Sequence, residues 1–182
     1  AFHLSDILRS PLAAERAEAL RTYMAEFGKD DPNYPEAEKI LAGIPAAVQV
    51  TSEPMDALIA LDGQSQGTAP LALDIPAGEH TITASHKDCF DAQKRLVVEP
   101  GEAKAVVIKL DKAAFVTATS EPAGAAIWVD GAESGLAPVR LKLAAGEHQL
   151  KASLSGRESQ QRLVHLKPGT EICSEECLCD LR

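Results

Sequence analysis

Apolar residues follow two different rhythms along this chain. Between Leu12 and Phe27 the run is rich in Ala, Glu and Arg, with Leu20, Met24 and Phe27 at helical spacing. That periodicity predicts a helix with one buried stripe. Ser10-Pro11 reads as an N-cap followed by proline in the first turn, and Gly28 as the stop. Pro35 opens a second short helix through Ile40-Leu41, ended by Gly43. Beyond Pro45 the rhythm becomes alternation. Val48 and Val50, Ile59 and Leu61, and Leu71, Leu73 and Ile75 each alternate with polar or small residues. Thr81-Ile82-Thr83, Leu96-Val97-Val98 and Ala105–Ile108 follow, with Gly and Pro turns between them. About six short strands so punctuated predict a small antiparallel sandwich.

The punctuation then repeats. Thr51-Ser52-Glu53-Pro54 recurs as Thr119-Ser120-Glu121-Pro122, and Asp62-Gly63 as Asp130-Gly131. Ala69-Pro70 recurs as Ala137-Pro138, Ala77-Gly78-Glu79-His80 as Ala145-Gly146-Glu147-His148, and Pro100-Gly101 as Pro168-Gly169. Every match falls 68 positions on, the distance from Ser52 to Ser120. Two copies of one module in tandem are therefore predicted. Asp-Gly between two alternating runs marks a two-residue hairpin turn.

This succession of Ser-Glu-Pro, alternation into Asp-Gly, Gly-x-Ala-Pro and Ala-Gly-Glu-His resembles the PEGA domain family. That family's signature runs Ser-x-Pro, Gly-Ala, Val-Asp-Gly, Gly-x-x-Pro and Pro-Gly-x-His. The second copy keeps Gly124-Ala125 after its Ser-x-Pro, whereas the first has Asp56-Ala57, which predicts a different turn there. The resemblance implies a small β-sandwich of bacterial and archaeal surface proteins, often appended to kinases, proteases or repeat arrays, with no catalytic residues of its own. The expected fold is mainly β: two tandem PEGA-like antiparallel sandwiches behind a short helical leader. The boundaries are 1–45 for the leader, 46–112 and 113–172 for the sandwiches, and 173–182 for a Cys-rich tail. Two short helices bury little by themselves. The leader is expected to pack on the first sandwich or on a neighbouring subunit; the tail of a larger helical array is the other reading.

Composition narrows the function classes. Eighteen Lys and Arg against 27 Asp and Glu give a formal charge of −9, with no basic cluster, which argues against nucleic acid. No stretch approaches the ~20 apolar residues of a membrane-spanning helix. The chain starts at Ala1 without a signal pattern; a mature N-terminus and an internal boundary both fit. One Trp and two Tyr are few for sugar binding, so carbohydrate is not expected as a ligand. Gly63-Gln64-Ser65-Gln66-Gly67 spells Gly-x-Ser-x-Gly, but it follows the Asp62-Gly63 hairpin signal and leads into no helical pattern, so it is not the strand-to-helix elbow of a hydrolase. No phosphate-cradling glycine loop is present, and no enzyme activity or cofactor is expected. His80 and His148 lack a second ligand at metal spacing and are assigned to the module's own structure. Asp30, Asp31 and Asn33 lack the glycine and distal Glu of a calcium loop and read as a polar turn.

Two features depart from the repeat. Phe115 and Trp128 stand where the first copy has Ala47 and Ala60, each flanked by inward apolar residues. Period-two geometry sends both outward together, as a partner interface or as the cover of an internal joint. The second is the tail. The first copy ends in a plain strand, Ala103–Leu110, but the second reads Glu171-Ile172-Cys173-Ser174-Glu175-Glu176-Cys177-Leu178-Cys179. In an extended tail Cys173 and Cys177 lie ~13 Å apart at ~3.3 Å per residue, beyond disulfide reach. A helical turn between them, a bond to Cys89 or a bond to another chain are the alternatives. A zinc site is disfavoured because Cys-x-x-x-Cys-x-Cys is not a usual zinc spacing. The chain is expected to be a non-catalytic, extracytoplasmic structural or interaction protein of a prokaryote, a subunit of a cell-surface or filamentous assembly. Its expected partners are copies of itself or other envelope proteins. The alternative is a monomeric binding or sensory ectodomain of a larger envelope protein.

Overall fold

The computed structural model describes residues 4–158 and 161–173. Among these, one compact unit takes in the chain up to His86 together with Asp91–Leu110, and a second takes in Lys87–Phe90 and the chain from Asp111 onward.

The first unit begins with helices α1 (Leu4–Ile7), α2 (Ala13–Phe27) and α3 (Tyr34–Ala42). Ile7, Ala17, Leu20, Tyr23, Ala37 and Ile44 form their shared core. Leu12, not Ser10, is the N-cap of α2, so the helix starts later than the Ser-Pro signal suggests. The Ser10 hydroxyl instead donates to Glu15 at 3.1 Å. Gly28 stops α2 at φ 69°, its N–H bonded to the Met24 carbonyl. The polar turn that follows is organised by Asp31, whose Oδ1 accepts from the Tyr23 hydroxyl (2.9 Å) and the Asn33 N–H (2.7 Å).

The first sandwich contains β1 (Ala46–Glu53), β2 (Leu58–Leu61), β3 (Gln64–Thr68), β4 (Leu71–Ile75), β5 (Gly78–Ser85), β6 (Ala92–Val98) and β7 (Ala103–Lys109). They form two sheets, β4-β1-β7 and β3-β2-β5-β6. Val48, Val50, Ile59, Ile82, Leu96 and Ile108 fill the interior as the alternation requires. The leader belongs to this unit through α2. Arg21 Nη2 donates to the Pro100 carbonyl at 2.7 Å, and a Cβ on Gly101 would lie 2.5 Å from the Ala17 Cβ.

The second sandwich repeats the plan with β8 (Ala114–Ala118), β9 (Ala126–Val129), β10 (Ala132–Leu136), β11 (Val139–Leu143), β12 (Gly146–Leu154), β13 (Arg157–Glu158), β14 (Arg162–Leu166) and β15 (Glu171–Cys173). One sheet runs β11-β8-β15; the other runs β10-β9-β12, with β13 and β14 both on β12. Val116, Ala118, Ile127, Val129, Leu141, Leu150 and Leu166 form the core between them.

The pairing is not antiparallel throughout. β7 runs parallel to β1, and β15 parallel to β8. A parallel pair needs a long crossover, and here the intervening strands of the other sheet supply it. Lys87–Phe90, a segment from the middle of the first repeat, belongs to the second unit. Phe90 N–H donates to the Asp111 carbonyl and Ala113 N–H to the Asp88 carbonyl, both at 2.9 Å, and Cys89 bridges Lys112.

Candidate functional site

The repeated motifs are structural fastenings. Asp62 and Gly63 take φ 48° and 82°, and Asp130 and Gly131 take 51° and 84°. Both central residues with positive φ define the tight hairpin turn favoured by the twist of the strands. Each turn is tied down by its histidine. His80 Nδ1 donates to Asp62 Oδ2 at 2.7 Å and Nε2 to the Pro76 carbonyl at 2.9 Å, while Asp62 Oδ1 accepts from the Thr81 N–H. His148, Asp130, the Ala144 carbonyl and the Gln149 N–H repeat the arrangement at 2.7, 3.0 and 2.8 Å. A carbonyl and an ionised carboxylate only accept, so the arrangement is satisfied in full by the protonated imidazole, in which both ring nitrogens donate. The Asp62 hydrogen bond raises the His80 pKa above 6.5, and Asp130 raises that of His148. The bond from His80 holds Asp62 below its ordinary 3.8, and the Gln149 N–H does so most for Asp130. These histidines are fully engaged with the backbone and the aspartates.

The serine of Ser-Glu-Pro has a similar role: Ser52 Oγ donates to the Pro54 carbonyl at 2.7 Å and Ser120 Oγ to that of Pro122 at 2.8 Å. The turn expected to differ between copies does not. Asp56 adopts φ 67° where Gly124 has 90°, and both bond back to the same Ala-Pro segment. Asp is among the few side chains that tolerate this region.

Against this common frame the outward positions of the second sandwich stand apart. Phe115 on β8 is half-buried under the Arg140 guanidinium, 4.1 Å from the ring centre, and Arg140 Nε donates to Glu171 Oε1 at 3.0 Å. Lys142, cross-strand from Phe115, donates to the Cys89 carbonyl and lies 5.2 Å from the Phe90 ring centre. Part of this face is thus occupied from within the chain. The corresponding residues of the first sandwich are Ala47, Ala72, Asp74 and Ala103.

Trp128 does not share that face. It lies on β9, in the other sheet, and points outward from the opposite side of the sandwich. Alternation does send both aromatics outward, but the chain changes sheets at Ser-Glu-Pro, so the two outward directions oppose each other. The Trp128 Nε1–H donates to Ser153 Oγ at 3.2 Å. Beside the indole is a cleft of about 160 Å³ lined by Trp128, Gly131, Gln149, Lys151 and Gln161. Comparing the outward positions pairwise across the repeat would have found these polar partners; reading the aromatics alone missed them.

Cys89 is fully buried and makes no disulfide among the described residues, and burial pushes its thiol pKa up. Cys173 ends β15 opposite Thr117; Cys177 and Cys179 lie outside the described residues. Among the described residues no group of three His, Cys, Asp or Glu is placed to hold a metal ion.

The sequence profile of the PEGA domain matches residues 46–114 and again 115–174, well over half of the chain. The chain belongs to the PEGA domain family. The two matched segments coincide with the two sandwiches, and the PEGA signature residues are the ones fastening the turns. No curated protein matches the chain. PEGA domains are generally extracellular or periplasmic. No helix among the described residues is long and apolar enough to cross a membrane.

Proposed function

We propose that this tandem PEGA protein is a non-catalytic, extracytoplasmic structural or interaction protein, a subunit of a cell-surface assembly whose second domain makes the contacts. One observation carries the reading. The two domains share their fastenings, yet the outward set Ala47, Ala72, Asp74 and Ala103 becomes Phe115, Arg140, Lys142 and Glu171 in the second. Aromatic and Arg side chains dominate protein interfaces energetically. The obvious acid–base groups, His80 with Asp62 and His148 with Asp130, are consumed in holding turns. Light scattering and non-reducing gels, with and without reductant, test the reading. Mass rising with protein concentration supports it, and multimers that collapse on reduction add covalent links through the tail cysteines. A monomer at every concentration contradicts it.

The burial of Cys89 favours a second reading. A sulfur with no exposed surface is poorly placed to bond to a neighbouring chain. A monomeric binding or sensory ectodomain then uses the same second domain to meet a partner, and loses it when the outward aromatics are replaced by Ala.

A further inference from the structure

The cleft beside Trp128 lies away from the Phe115 face, and its residues change together between the domains. Trp128, Gln149 and Lys151 replace Ala60, Thr81 and Thr83, while Gly131 and Gln161 keep the Gly63 and Gln93 of the first copy. Strand register explains the grouping. Glu133 and Lys151 are the Cα partners of Trp128 on β10 and β12, so an acid, an indole and an ammonium form one row across the outer face. Gln149 lies two residues from Lys151 on the same face of β12, where alternation places it. The bond from Nε1 to Ser153 Oγ fixes the ring plane.

We propose that the cleft beside this row is a saccharide subsite, in which one pyranose ring lies against the indole and its hydroxyls meet Gln149 and Gln161. A pyranose has a C–H face and a rim of hydroxyls. It therefore suits a single aromatic plate bordered by side chains that both donate and accept hydrogen bonds. Among the described residues lining the cleft, Trp128 is the only large apolar side chain, and the others are amide, ammonium and glycine. That lining does not suit an apolar ligand, whose pocket would be mostly hydrophobic. A volume of about 160 Å³ is on the scale that admits one six-membered ring. Few aromatics in the whole chain argued against carbohydrate, but one subsite needs one plate, and the second domain supplies it. The proposal extends beyond the assembly reading and does not depend on it.

Trp128 is the sole tryptophan of the sequence, so its emission reports on this cleft alone. The experiment is a fluorescence titration of the full chain with cellotriose, chitotriose and maltotriose. The expected result is a saturable change with at least one of them. In the variant Gln149→Ala/Gln161→Ala, which keeps the tryptophan and alters exposed positions only, binding weakens about tenfold or more. Circular dichroism checks that this variant is folded. No saturable change with any of the three up to about 10 mM, ten times a 1 mM dissociation constant, overturns the proposal. So does a change that persists undiminished in the variant. An emission shift that follows protein concentration in the absence of sugar overturns it too, and assigns the face to protein contact. Native mass without sugar is a separate readout, so failure here and failure of the assembly reading are distinguishable.

Discussion

Substituting Gly101 with Ala tests how the leader is held to the first PEGA domain, because Gly169 provides a matched control. The two glycines occupy the same turn of the repeat, with φ 72° and 74°. An Ala at either position bears the same backbone strain, about 1–2 kcal/mol for a left-handed L-residue. The surroundings differ. At Gly169 the nearest atom to a new Cβ is the Lys112 Cδ at 3.5 Å, an ordinary contact with a flexible chain. At Gly101 the new Cβ meets the Ala17 Cβ at 2.5 Å and the Ala13 carbonyl at 3.0 Å. Carbon atoms prefer about 3.5–4.0 Å, so α2 must withdraw by about 1 Å. Overpacking of that kind costs about 1–3 kcal/mol more. Gly101→Ala should therefore destabilise by about 2–5 kcal/mol and Gly169→Ala by about 1–2. Urea denaturation is the assay. Tyr23 and Tyr34, the two tyrosines of the chain, report on the leader, and Trp128 on the second domain. Adding Ala17→Gly to Gly101→Ala should recover the packing part, less about 1 kcal/mol for a glycine inside a helix. Equal losses at the two glycines, or no recovery with Ala17→Gly, would refute the argument that α2 rests on this turn.

The histidine fastenings predict a pH dependence. Raised histidine pKa values give stability that is complete below about 6.5 and lost as pH rises through the folded values; lowered aspartate values give stability lost as pH falls below about 3.8. Thermal melts should be highest between those limits and decline toward pH 8.5, and His80→Gln/His148→Gln should flatten that decline. Ile59→Ala and Ile127→Ala remove fully buried side chains at equivalent places, and each should cost about 2–5 kcal/mol in its own domain by urea denaturation. The Cys89 thiol should resist iodoacetamide in the folded protein and react only on unfolding, as peptide mapping by mass would show.

Much of the fold was legible because the repeat doubled every signal. Asp62-Gly63 and Asp130-Gly131 marked hairpins twice over, and Val48, Val50, Val116 and Ala118 gave the same inward face in both domains. β3 was not legible, since Gln64–Thr68 is an exposed polar edge held by its turn and not by burial. The parallel pairing of β7 and β15 follows from topology, which alternation does not encode. Helix α1 is too short to leave a period. The aromatic positions were legible as outward residues, but their sheet was not. Period two gives the side of a strand and says nothing of which sheet that strand joins. The placement of Cys89 depended on backbone bonds between residues 88–90 and 111–113, far apart in sequence and without a side-chain pattern.

The second PEGA domain is proposed to carry contacts that the first lacks. The most direct test is the native mass by light scattering over a concentration series, for the wild type and for Phe115→Ala/Arg140→Ala, which restores the residues of the first domain. The wild-type mass should rise with concentration, and the variant, folded by circular dichroism, should stay at the mass of one chain. Identical curves for the two proteins, whether both assemble or neither does, would contradict it.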